Sequence, residues 1–224
     1  MKNSGATFQR TMELALQGLQ WHICIIYIDD IIVFSKSFEE HIDRLRLIFD
    51  RMRDANLRLK PKKCELLKQE VTFLGHRVSE NGISPDPNNV AKIVNWPIPK
   101  NATEIRQFLG ICSYYRRHVK AFSSIAKPLN DLTKNDSTLV WTNDCQIAFD
   151  TLKQALISPE IMTLPNNTDV FILDCDALDF GIGAVISQIQ NNKEKVIAYA
   201  SRSLNKAQQN YCVTEREMLA IDTF

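Results

Sequence analysis

The chain has 224 residues, 45% of them hydrophobic and 24% charged, with 27 Lys and Arg against 26 Asp and Glu. That length allows one or two domains of roughly 100–200 residues each, and the hydrophobic fraction excludes a disordered or low-complexity protein. The net charge of +1 excludes a uniformly basic nucleic-acid coat while permitting local patches.

Phe8, Met12, Ala15, Leu16 and Leu19 recur at helical spacing close to the start. Trp21 to Tyr27 and Ile31 to Phe34 are β-branched and aromatic runs on either side of Asp29-Asp30, which predicts a hairpin. Ser37 with Glu40 is a capping box ahead of Ile42, Leu45, Ile48, Phe49 and Met52, a second helix. Leu57 to Leu59 and Val71 to Val78 read as strands. From about Ser84 to Pro159 the pattern is helical. One helix starts at Asp86-Pro87 and stops at Trp96-Pro97, and another opens at Thr103. A third covers Ser123 to Leu132, and a fourth is capped by Asn143 with Gln146. Val170 to Cys175, Gly181 to Gln188 and Val196 to Ala200 then form strands with short connections, an antiparallel meander, before a helix from Val213 or Thr214. The fold class is therefore α+β.

Six cysteines (Cys24, Cys64, Cys112, Cys145, Cys175 and Cys212) lie 30 or more residues apart. That usage reads as buried thiols in a reducing, cytoplasmic compartment. Asp29 and Asp30 interrupt the longest apolar stretch, so no membrane span is expected. The helical patterns at both ends suggest a piece of a longer polypeptide. His22, His41, His76 and His118 show no ligand spacing.

Two adjacent carboxylates between apolar strands have two readings. A bare Asp-Asp is most simply an exposed polar turn. A hairpin tip presenting carboxylates is also how a two-metal phosphoryl-transfer site holds its ions. Residues 44–63 carry eight basic groups against two acids, and residues 100–134 carry seven against two. Such runs are either solvated faces or a nucleic-acid path.

The motifs Lys2-Asn3-Ser4-Gly5-Ala6-Thr7-Phe8-Gln9, Tyr27-Ile28-Asp29-Asp30, Leu59-Lys60-Pro61-Lys62-Lys63-Cys64, Phe73-Leu74-Gly75-His76, Tyr114-Tyr115-Arg116-Arg117, Leu173-Asp174-Cys175-Asp176-Ala177 and Tyr199-Ala200-Ser201-Arg202 follow one another in order. Together they closely resemble the reverse transcriptase–ribonuclease H region of gypsy-class long-terminal-repeat retrotransposons. The resemblance implies a palm half over 1–83, helical thumb over 84–159, and the β-β-β-α opening of a ribonuclease H domain over 160–224. It implies RNA-directed DNA polymerisation and hydrolysis of the RNA strand in RNA–DNA hybrids, with Mg2+ or Mn2+. Primer–template, hybrid, dNTPs and the rest of a Pol polyprotein would be the partners. Asp29 and Asp30 match the polymerase metal ligands, Phe8 and Gln9 the nucleotide pocket, and Lys63 a lysine proposed to protonate pyrophosphate. Leu74, Gly75 and His76 match the primer-gripping loop, and Tyr115, Arg116 and Arg117 a nucleic-acid contact. Asp176 and Glu217 match ribonuclease H metal ligands, with Glu215 a rival two residues away. Gly5 stands where the family usually has proline, and Leu178 where it often has serine. The family's third polymerase aspartate and its later ribonuclease H acids have no match here, so each site is expected to be half built and inactive alone. A non-catalytic nucleic-acid-binding or domesticated remnant is the contrasting expectation.

Overall fold

A computed structural model describes residues 3–134, 140–157, 159 and 161–224. The chain divides into two compact units, Met1–Phe73 and Leu74–Phe224.

The first unit runs α1 (Ser4–Ala15), β1 (Cys24–Tyr27), β2 (Asp30–Val33), α2 (Phe38–Asp54) and β3 (Glu70–Phe73). Its core is Met12 and Leu16 of α1, Cys24 and Ile26 of β1, and Ile48 and Met52 of α2. The predicted capping box closes the start of α2. Ser37 Oγ accepts from the Glu40 amide at 3.2 Å, and the Glu40 carboxylate accepts from the Lys36 amide at 2.8 Å. The Lys36 amide bond, with the Arg44 charge, the Ser37 amide and the Lys36 charge, holds the Glu40 carboxyl below its ordinary range, against an opposing desolvation.

The expected strand at Leu57–Leu59 is not there, because Leu57 belongs to the closure that follows α2. Asn56 takes a left-handed φ of 54°. Its amide bonds to Arg53 O at 2.9 Å and the Leu57 amide to Met52 O at 2.8 Å, the Schellman closure of a helix. Leu57 then packs on the core from outside the helix, which explains an apolar residue that alternation alone reads as strand.

The second unit opens with β4 (His76–Ser79) and β5 (Gly82–Pro85), an antiparallel hairpin pairing His76 with Pro85. The run expected as one strand over Val71–Val78 is broken at Leu74 and Gly75, whose φ values are 48° and 68°. Two successive positive-φ residues make a tight two-residue turn. β5 was not expected, its four residues being too few to show a period. Gly82 is required there: its φ is 129°, and an added Cβ would lie 2.2 Å from Met162 O, which the Ile83 amide reaches at 2.8 Å.

Four helices follow: α3 (Pro87–Val94), α4 (Ala102–Tyr114), α5 (Phe122–Asp131) and α6 (Asn143–Ile157). Asp86 and Asn101 cap α3 and α4 through side-chain oxygens. α6 is capped one residue earlier than expected, by Thr142, whose hydroxyl accepts from the Cys145 amide at 3.3 Å. The helices enclose a core of Ile105, Phe108, Leu129, Phe149 and Leu152, with the Phe108 and Phe149 rings 4.5 Å apart. The meander is β6 (Phe171–Leu178), β7 (Gly181–Gln190) and β8 (Lys193–Ser203), in order 6-7-8 and longer than expected at each strand, and α7 (Val213–Thr223) packs on it. Among the described residues no helix is long and apolar enough to cross a membrane.

Candidate functional site

The Asp-Asp pair sits at the β1–β2 turn, where Tyr27 pairs with Asp30. Ile28 has a φ of 53°, a conformation that costs a non-glycine residue roughly 1–2 kcal/mol. Gln9 of α1 holds that backbone: its Oε1 accepts from the Ile28 amide, and its Nε2 donates to Ile26 O at 3.4 Å and to Glu13 Oε1 at 2.7 Å. Both aspartates are exposed and line a cleft of about 330 Å³ with Lys63, His41 and Phe73. The structure therefore gathers Asp29, Asp30 and Lys63. Neither Phe8, 40% exposed, nor Gln9 lines that cleft; the clamp formed by Gln9 depends on tertiary proximity that spacing cannot reveal.

Within the second unit, the Leu74–Gly75 turn is held by side chains from α3 and the end of α4. Tyr114 Oη donates to Leu74 O, and Tyr115 Oη donates to Gly75 O at 2.7 Å while accepting from Asn89 Nδ2 at 3.0 Å. His76 Nδ1 is 3.0 Å from Leu74 O, and its ring lies 5.3 and 5.4 Å from those of Tyr114 and Tyr115. Burial holds the His76 pKa below its ordinary value, Arg117 adds to that, and the Leu74 carbonyl opposes it. Its Nε2 is buried without a hydrogen-bond partner.

Tyr115, expected at a nucleic-acid surface, is only 1% exposed. Its reach toward any ligand runs through Gly75. Arg116 is exposed but tethered, donating to Ser201 O of β8 and lying 5.8 Å from the centre of the Phe122 ring. Arg117 is exposed.

On the meander, Asp174 and Asp176 are exposed on β6 and line a cleft with Lys120 and Ser124. Leu219 and Ala220 of α7 pack with Cys175, Ala177 and Ile182. Burial raises the Cys175 pKa, and the charges of Asp174 and Glu217 raise it further, so Glu217 lies beside the strand that carries Asp176. Glu215 does a different job: its carboxylate accepts from the Cys212 amide at 2.9 Å, closing the start of α7. Arg216 pins the helix to the β6–β7 turn through Asp179 at 2.6 Å. Among the described residues, no group of three or more His, Cys, Asp or Glu side chains converges as a metal site.

Residues 1–78 match the family described as reverse transcriptase (RNA-dependent DNA polymerase), and residues 141–223 match the RNase H-like domain found in reverse transcriptase. Over 99% of its length the chain is 42% identical to the retrovirus-related Pol polyprotein from transposon 297 and 37% identical to that from transposon 412, both of Drosophila melanogaster. It is 37% identical over 96% of its length to the transposon Tf2-3 polyprotein of Schizosaccharomyces pombe. The chain spans 21%, 18% and 16% of those three relatives. In fold it is similar to foamy viral protease-reverse transcriptase, solved in complex with dsDNA (TM-score 0.87, 24% identity, 100% of this chain and 46% of that one). A second structure of that protein, in complex with an RNA/DNA hybrid, gives a TM-score of 0.86 at 24% identity over 98% of this chain and 30% of that one. A reverse transcriptase segment followed by an RNase H-like segment, in one chain similar along nearly its whole length to transposon polyproteins, belongs to the reverse transcriptase–RNase H region of retrotransposon Pol polyproteins.

Proposed function

We propose that the chain contributes half of each active site of a retrotransposon polymerase–ribonuclease H. Residues 1–83 act as palm, 84–159 as thumb and 160–224 as the opening of the ribonuclease H domain. The observation that carries this reading is the Tyr27–Asp30 turn: two exposed carboxylates at one cleft with Lys63, on a backbone fixed by Gln9. Carboxylate oxygens on a rigid turn suit Mg2+ or Mn2+. Such ions, when bound, neutralise charge on the transferring phosphoryl group.

Asp29 and Asp30 orient the primer end and the incoming dNTP, and the Lys63 ammonium supplies the proton taken by departing pyrophosphate. Phe8 and Gln9 belong to the nucleotide side, Gln9 by fixing the turn. Leu74, Gly75 and His76 grip the primer terminus, with Tyr115 acting through the Gly75 carbonyl and Arg116 and Arg117 on the phosphate backbone. Asp176 and Glu217 provide the corresponding carboxylates for hybrid hydrolysis. The working setting is cytoplasmic, in company with the rest of a Pol polyprotein.

A two-metal centre holds its ions with more carboxylates than two, so these 224 residues by themselves should not extend a primer. A segment exchange tests the reading. The chain replaces its counterpart in the transposon 297 polyprotein, and primer extension on an RNA template is measured with Mg2+. The exchanged protein should extend the primer, and Asp29→Asn should abolish extension. Full extension by Asp29→Asn would overturn the assignment.

A further inference from the structure

Two neighbouring side chains of α7 meet different parts of the meander. Arg216 donates to Asp179 at 2.6 Å, in the turn that joins β6 to β7, and Glu217 lies beside β6 itself. That turn is held from three directions. The Phe180 carbonyl accepts from the Leu204 amide at 2.9 Å, and Lys127 Nζ of α5 lies 4.8 Å from the centre of the Phe180 ring. At Gly181 an added Cβ would come 3.2 Å from Arg202 O and 3.3 Å from Ser124 Oγ, so the backbone there lies close against β8 and α5. Asp179 thus stands on a fixed point, three residues past Asp176.

As a stabilising contact the pair is weak. The Asp179 side chain is 77% exposed, and an ion pair in contact with water contributes little. Arg216 is only 13% exposed, and its Nε is buried with no hydrogen-bond partner, which costs desolvation. Holding so long a side chain in one rotamer costs entropy as well. Stability does not account for the arrangement, whereas geometry does. Arg216 and Ala220, four residues apart, share one face of α7. Ala220 is fully buried in the cluster with Ile182 and Leu204, but a single methyl group keys the rotation of a helix poorly. Successive helix residues are set at a fixed angle to one another, so any rotation of α7 that freed Arg216 would carry Glu217 away with it.

We propose that Arg216 and Asp179 are positioning residues for the ribonuclease H carboxylates: tied to the fixed turn, Arg216 sets α7 about its axis so that Glu217 is turned to the strand that carries Asp176. The inference rests on the ribonuclease H reading of residues 160–224. The pair touches neither substrate nor ion and acts only through Glu217.

The test uses the exchanged polyprotein, with kcat and KM measured for cleavage of a fluorescein-labelled RNA–DNA hybrid in Mg2+. Arg216→Gln and Asp179→Asn should each lower kcat by roughly 10–100-fold, the usual effect of losing a group that orients a metal ligand. KM for the hybrid and primer extension should stay as in wild type. Arg216→Lys keeps a charged donor for Asp179 and should restore most of kcat. A second readout needs no turnover: without nucleic acid, Fe2+ with ascorbate and peroxide cuts the backbone beside bound ions. Scission at β6 and α7 should weaken in Arg216→Gln and Asp179→Asn and persist in Arg216→Lys. Because Asp179 is exposed, thermal melts of the 224-residue chain should be the same for Asp179→Asn and wild type. If both variants cleave at the wild-type rate while Glu217→Gln is dead, the positioning proposal fails and the ribonuclease H reading stands. If the exchanged wild type cleaves no hybrid, or Glu217→Gln cleaves fully, that reading falls and the proposal with it. If Asp179→Asn lowers the melt or Arg216→Lys gives no rescue, the pair is merely structural and the proposal is overturned.

Discussion

Gln9 and Ile28 show how one side chain can hold an aspartate-bearing turn from outside the cleft that the turn lines. The Ile28 amide points at Gln9 Oε1, and the left-handed backbone of Ile28 persists because that bond and the flanking β1–β2 pairs fix it. Gln9→Ala leaves a half-buried amide unsatisfied, so a loss of about 1–3 kcal/mol is expected in denaturant unfolding of the first unit. In the exchanged polyprotein, extension should fall even though Asp29 and Asp30 are intact. His76 gives a residue-scale prediction in pH. Its folded pKa lies below the ordinary 6.5, so below that value the unfolded chain binds more protons than the folded one. Stability is therefore fully present above about pH 6.5 and declines as pH falls toward the folded pKa. Thermal melts from pH 7.5 to 5 should show that decline, and His76→Asn should flatten it.

At the scale of elements, α7 separates two glutamates that sequence spacing leaves as rivals. Glu215 closes the helix start through the Cys212 amide, whereas Glu217 lies beside Cys175 on β6. Glu215→Ala should cost about 1 kcal/mol of stability by removing a cap and leave hybrid cleavage by the exchanged polyprotein intact. Glu217→Gln should do the reverse, abolishing cleavage with little effect on the melt. Cleavage lost with Glu215→Ala and kept with Glu217→Gln would shift the assignment by two residues. Elements whose signals are local were legible beforehand: the Ser37–Glu40 box, the Asp86-Pro87 start and the alternating meander all form as read. The misses are residues whose partners are distant in sequence or whose period is too short. Leu57 was taken for strand because its packing follows a helix closure. The loop at Leu74–Gly75 was legible only through the family resemblance, because positive φ at Leu74 has no composition signal. Tyr115 read as surface beside two arginines, yet its hydroxyl is tied 40 residues away at Gly75.

At the scale of the whole molecule, the meander is not self-sufficient. β8 is joined to the thumb helices by the Arg116 bond to Ser201 O and by the Ser123 amide bond to Ser201 Oγ at 2.9 Å. Its own apolar cluster is small, with only Ile182, Leu204 and Ala220 buried. A fragment of residues 160–224 should therefore give a broad, weakly cooperative melt, whereas 74–224 keeps the Phe108–Phe149 core and should unfold cooperatively. Thiol labelling reports the same difference. Cys112, buried and with its pKa pushed up to about 12, should resist alkylation in 74–224 until the unit opens, while exposed Cys212 reacts at once. The sites were more legible than their supports at this scale, because carboxylate pairs show in sequence and the groups that orient them do not.

α4 behaves as an indexing shaft. One flank of it sets Arg106, Gly110 and Ser113 along a cleft of about 430 Å³ shared with Ser201 and Ser203 of β8, and its last residue, Tyr114, with Tyr115 directly after it, carries the phenols that hold the Leu74–Gly75 turn. A helix advances about 100° per residue, so deleting one residue between Gly110 and Tyr114 would swing both phenols by that angle while Arg106 stayed put. The Leu74–Gly75 turn and that cleft are thereby locked in phase. Length changes in this helix should be tolerated only near a whole turn, whereas substitutions on its outer face, such as at Gln107, can vary freely.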